Sequence, residues 1–131
     1  MADHDVEGQL EIFADFWESA EWLDLWRAMD CSVESFSGLG LATNLPDSEV
    51  WKFCQENQIV LVTGNRNRDD ESSLEATMER ENTAECLPVL TIADPKRVAM
   101  DRAYAERAAI RVLDYLLDLE KNRGAMRLYV P

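Results

Sequence analysis

The chain predicts an α/β fold of three layers, a mostly parallel sheet of about five strands flanked by helices. Three observations carry that prediction. Short aliphatic and β-branched runs alternate with longer stretches of helical period along the sequence. The run Ile59-Val60-Leu61-Val62-Thr63 is apolar almost throughout, as a strand covered on both faces should be. No repeat or linker divides the 131 residues, a length that suits one core.

Residues 1–8 are polar and read as a flexible tail, leaving 9–131 as a single domain. Residues 10–14 are rich in strand formers and predict a first strand that ends at Asp15. Ser19 then caps a helix to about Met29, in which Trp22, Trp26 and Met29 share a face. Residues 31–36 read as a second strand, and Ser37-Gly38-Leu39-Gly40 as a flexible connection. Pro46 suits the first turn of a helix that carries Asp47, Trp51 and Cys54 and ends near Asn57.

After the strand at 59–63 comes a polar loop, 64–71. Ser72 and Glu75 have capping-box spacing and open a helix to about Asn82. Residues 87–92 predict a fourth strand. Asp94-Pro95 opens the longest helix, with Val98, Ala105, Ala108, Val112, Leu116 and Leu119 on its apolar face. Gly124 stops that helix, and residues 126–130 form the last strand.

Composition excludes several chemistries. The one histidine, His4, lies in the expected tail, so a Ser-His-Asp triad, a Cys-His pair and a histidine-rich zinc site are all discounted. Cys31, Cys54 and Cys86 are odd in number and widely spaced, which predicts reduced thiols in a cytoplasmic protein. No apolar run is long enough to span a bilayer, and no leader segment is expected. The formal charge of −13 disfavours nucleic acid except at a local basic patch, and favours divalent cations and basic protein partners.

Open parallel sheets carry their sites at the carboxyl ends of the strands. The polar residues expected there are Asp15, Thr63, Asn65 and Asp94, with Asp47 leaning toward the same crevice. Hard oxygen donors without histidine or thiolate suit Mg²⁺ or Mn²⁺. Each residue also has a simpler reading. Asp15 can be a strand end, Asp47 an acid complementing a helix dipole, Asn65 a turn former and Asp94 an N-cap.

The segments Ile12-Phe13-Ala14-Asp15, Pro46-Asp47 and Val60-Leu61-Val62-Thr63-Gly64-Asn65-Arg66-Asn67 resemble PIN-like nuclease domains over roughly residues 10–95. The resemblance implies metal-dependent cleavage of RNA, often as the toxin of a toxin–antitoxin pair, with Asp15 and Asp47 as metal ligands. It also implies an aspartate where this chain has Asn65, a neutral carbonyl that weakens the metal site unless Asp69 or Asp70 supplies the charge. Single-stranded RNA is then the expected substrate, with a basic antitoxin-like protein as partner and a homodimer as the assembly. The alternative is a non-catalytic module of the same fold that binds a basic partner.

Overall fold

A computed structural model describes residues 1–64 and 73–131. Its helices and strands run in the order α1 (Glu7–Trp17), α2 (Leu23–Ala28), α3 (Asp47–Glu56), β1 (Val62–Thr63), α4 (Leu74–Glu81), β2 (Val89–Ile92), α5 (Pro95–Met100), α6 (Arg102–Leu117), α7 (Leu119–Asn122) and β3 (Arg127–Val130). The three strands form one parallel sheet in the order β1-β2-β3, with Thr63 opposite Thr91 and Thr91 opposite Tyr129. Among the described residues no helix is long and apolar enough to cross a membrane.

Successive strand residues point to opposite faces, and the sheet's side chains divide accordingly. Val62, Leu90, Ile92 and Val130 pack with α1, α5 and α6, around Phe13, Trp17, Val98, Ala108 and Val112. Leu61 and Val89 pack on the other side with Val50, Trp51 and Cys54 of α3 and Leu74 and Met78 of α4. This is the expected three-layer α/β arrangement, with a smaller sheet. Trp17 ties two of the helices together: its indole N–H donates to the Ala109 carbonyl at 3.0 Å, and its ring stacks on Trp26 at 4.8 Å.

Of the five expected strands, two are not strands. Residues 10–14 lie within α1, because Val6, Leu10, Phe13 and Trp17 recur at four, three and four and all four are buried. The short run of strand formers sits inside this longer helical period and is overridden by it. Residues 31–36 join no ladder among the described residues; only Phe36 of that stretch is buried, so they have no apolar face to pair. Residues 1–8 are not a loose tail either. The Val62 N–H donates to the Met1 carbonyl at 2.8 Å, and the Asp3 N–H donates to the Val62 carbonyl at 2.7 Å. Met1, Ala2 and Val6 are buried, so the first residues lie along β1 as a short parallel stretch.

Two boundaries also move. The helix expected from Asp94 is broken at Asp101, which ends α5 in an extended conformation and caps α6 by accepting from the Tyr104 N–H at 3.2 Å. Helix α4 is capped by Ser73, whose hydroxyl accepts from the Ala76 N–H at 3.2 Å; Ser72 of the expected capping box lies outside the described residues. Gly124, at φ +82°, closes the chain after α7 as expected, and an added Cβ there would meet Ala84 Cα at 3.0 Å.

Candidate functional site

The carboxyl end of β1 gathers polar groups from three parts of the chain. The pairing of residues 1–3 with β1 delivers Asp3 to this edge. One oxygen of Asp3 accepts from the His4 N–H at 2.8 Å, capping a single 3₁₀ turn, His4–Val6. The other accepts from the Thr63 hydroxyl at 3.2 Å. Burial pushes the Asp3 carboxyl above the ordinary aspartate range, and the charges of Asp5 and Asp47 push it further against those two hydrogen bonds.

Asp47 reaches the same neighbourhood from the first turn of α3. Pro46 fixes that end of the helix: its carbonyl accepts from the Glu49 and Val50 N–H groups at 3.0 and 3.1 Å. Thr63 is fully buried, and its hydroxyl donates to the Asp3 carboxylate. Gly64, next along the chain, is held against α5. A Cβ at this position would lie 2.9 Å from Pro95 Cγ and 3.2 Å from Val6 Cγ1, too close for any side chain.

The polar edge continues across the sheet. Thr91, beside Thr63 in register, is also fully buried and accepts a hydrogen bond from Arg127 of β3. The same guanidinium pairs with Glu75 of α4, with side chains only 7% and 23% exposed. Glu75 therefore serves a buried ion pair and not the expected capping box. The ion pair fixes α4 to the sheet beside the crevice.

The chain matches no family model, no curated protein and no solved structure. What the site can do rests on its own geometry.

The sequence-predicted residues divide into three groups. Asp47, in the first turn of α3, lies near enough for its charge to act on Asp3. Asp15 does not end a strand: it is exposed on α1 and lines a shallow groove with Ile12, Phe16, Val98, Met100 and Arg102. Asn65, Asp69 and Asp70 lie outside the described residues, as do Arg66 and Arg68. Asp94 caps α5 through the Arg97 N–H at 3.2 Å, its simpler reading. Asp3 was missed. The helical period from Val6 to Trp17 was the available signal, since it leaves residues 1–3 as the only stretch ahead of α1 able to bring an acid to the sheet.

Among the described residues no three His, Cys, Asp or Glu side chains are placed to hold a metal ion. Two carboxylates and a hydroxyl still suit a hard cation, because Mg²⁺ and Mn²⁺ keep several waters and take the rest of their shell from a substrate. Burial is the chief cause that raises the Asp3 carboxyl, with the charges of Asp5 and Asp47 behind it.

Proposed function

We propose that this chain is a PIN-like, metal-dependent ribonuclease domain whose cation is held by Asp3 and Asp47. The observation that carries the reading is the half-buried Asp3 carboxylate at the carboxyl end of a parallel sheet, held above the ordinary aspartate range chiefly by burial and also by the charges of Asp5 and Asp47. Asp3 takes the role that the resemblance gave to Asp15. Thr63 donates to the Asp3 carboxylate, and α3 presents Asp47 from its first turn. A bound Mg²⁺ or Mn²⁺ would supply charge neutralisation and an activated water at the phosphodiester.

A second reading, a PIN-like module that binds a basic partner without cleaving RNA, is favoured by one fact. Among the described residues no group of three or more His, Cys, Asp or Glu side chains is placed to hold a metal ion.

Thermal unfolding with Mn²⁺ tests the first reading, since a ligand bound only by the folded state raises Tm. Wild type should gain Tm with Mn²⁺, Asp3→Asn and Asp47→Asn should lose most of the gain, and Asp15→Asn should keep it. Mn²⁺-dependent cleavage of a single-stranded oligoribonucleotide should follow the same pattern. Equal Mn²⁺ shifts in all four proteins would sink the site, and binding without cleavage would favour the interaction module.

A further inference from the structure

On an acidic molecule, one face carries arginines that are not matched by acids. Tyr104, Arg107, Arg111 and Tyr115 follow one another at three, four and four residues, so they form a single stripe along α6. Arg97, which pairs with Asp101 at 3.2 Å, stands over the Tyr104 ring at 4.7 Å; Arg107 stands over the same ring at 5.7 Å, and Arg111 over the Tyr115 ring at 5.9 Å. The chain has 26 Asp and Glu for 13 Lys and Arg, so an arginine could readily find a carboxylate. Arg107 and Arg111 form no ion pair among the described residues, and neither does exposed Lys96 nearby in sequence. Asp94 and Asp101 cap α5 and α6, Asp101 also pairs with Arg97, Glu106 pairs with Arg102 on the opposite side of the helix, and Asp114, three residues after Arg111, forms no ion pair among the described residues. Exposed Asp114 and Asp118 mark the far end of the stripe.

The near end of the stripe adjoins the crevice. The Tyr104 hydroxyl accepts from the Asp94 N–H at 3.1 Å, just beyond the end of β2. Pro95, next in sequence, is packed against Gly64, the residue after Thr63. Tyr104 is only 5% exposed, so its ring is a pedestal for guanidinium groups and not a stacking surface for bases. A guanidinium lying over a ring keeps its N–H edges free, and those edges match phosphate oxygens in a bidentate fork. Arg107 and Arg111 are one turn apart, about 6 Å of helical rise, so each can take a separate phosphate.

We propose that Arg107 and Arg111, on the Tyr104–Tyr115 stripe of α6, bind the sugar–phosphate backbone of single-stranded RNA and lead it to the Asp3–Asp47 crevice. The inference rests on the nuclease reading for its choice of polyanion. The contact is electrostatic and indifferent to sequence, because no base-reading group lies on the stripe.

The test is the fluorescence anisotropy of a labelled single-stranded oligouridylate titrated with the full chain in EDTA at low salt. Wild type should bind. The Arg107→Gln/Arg111→Gln double variant should bind at least tenfold more weakly, and the slope of log K against log salt should shrink by about 1.4, two phosphate contacts on a single strand. Arg102→Gln, at 92% side-chain exposure and off the stripe, should bind as wild type does. An unchanged circular dichroism melt of the double variant guards against unfolding as the cause. Absence of wild-type binding, or equal binding by the double variant, overturns the proposal. So does a stripe that binds a polyglutamate peptide in preference to oligouridylate, since its partner would then be an acidic protein. Stripe-dependent binding without Mn²⁺-dependent cleavage would end the nuclease reading alone, and cleavage unaffected by the double variant would end this one alone.

Discussion

Asp3 shows how one residue's environment sets its response to pH. Its folded-state pKa is raised, chiefly by burial, so the folded protein holds the proton more tightly than the unfolded chain does. The linkage has one sign. The protonated form stabilises the fold at low pH, and that contribution is lost as pH rises through the raised pKa. At neutral pH and without metal, Asp3→Asn should therefore melt at a higher temperature than wild type. The asparagine oxygen can still accept from the His4 N–H, and its amide can donate to Thr63. The advantage should shrink as the pH is lowered toward the ordinary aspartate range, and Mn²⁺ should reverse it. Melts across pH in EDTA would check this, and a variant less stable than wild type at every pH would show that Asp3 is held mainly as a cap. Asp47 was legible in the sequence because an acid after Pro46 marks a helix start by itself. Asp3 was not, because its place depends on pairing with Val62, some sixty residues away.

At the scale of elements, what could be read was what is local. The amphipathic period of α3, the continuous apolar run of β2 and the Asp94-Pro95 start of α5 each lie within one short window. The failures came where two local signals competed. Strand formers at 10–14 lost to the wider period of α1, and the apolar face that runs on through Val98 and Ala105 hid the cap at Asp101. Gly124 was found from its position alone, and it carries a testable cost. At φ +82°, and with Ala84 Cα and O at 3.0 and 3.2 Å from a would-be Cβ, Gly124→Ala combines left-handed strain with a backbone clash. The substitution should destabilise by about 1–2 kcal/mol, the strain of a non-glycine residue held there. Urea denaturation at unchanged m-value would measure it, and a neutral result would mean the 123–126 turn relaxes freely.

Over the whole molecule, the expected layering was right and the strand count was not, and both outcomes have one cause. Two separate apolar clusters require a sheet with both faces covered, whatever its width. Width depends on which extended segments find partners, and that is a tertiary property. The polar edge made by Asp3, Thr63, Thr91 and Arg127 was equally hidden, since each strand contributes only one or two of its members. Charge is uneven as a result: Asp5 and Asp47 act on Asp3 at a strand end, while Arg107 and Arg111 of α6 form no ion pair among the described residues.

A three-stranded sheet has open edges, and β3 is one of them. The carbonyls of Met126 and Val130 accept from Val89 and Ala93 of the β2 side, so the alternate carbonyl of Tyr129 faces away from the sheet. Tyr115 donates its hydroxyl to that carbonyl at 2.9 Å. An outward carbonyl on a short apolar strand invites pairing with another chain, and here a side chain has taken the acceptor first. Tyr115→Phe keeps the ring and frees the acceptor. Sedimentation velocity over a concentration series should then reveal stronger self-association than wild type shows, and a variant that sediments as wild type does would show that strand length alone protects this edge. One phenolic hydroxyl thus acts as a guard against aggregation.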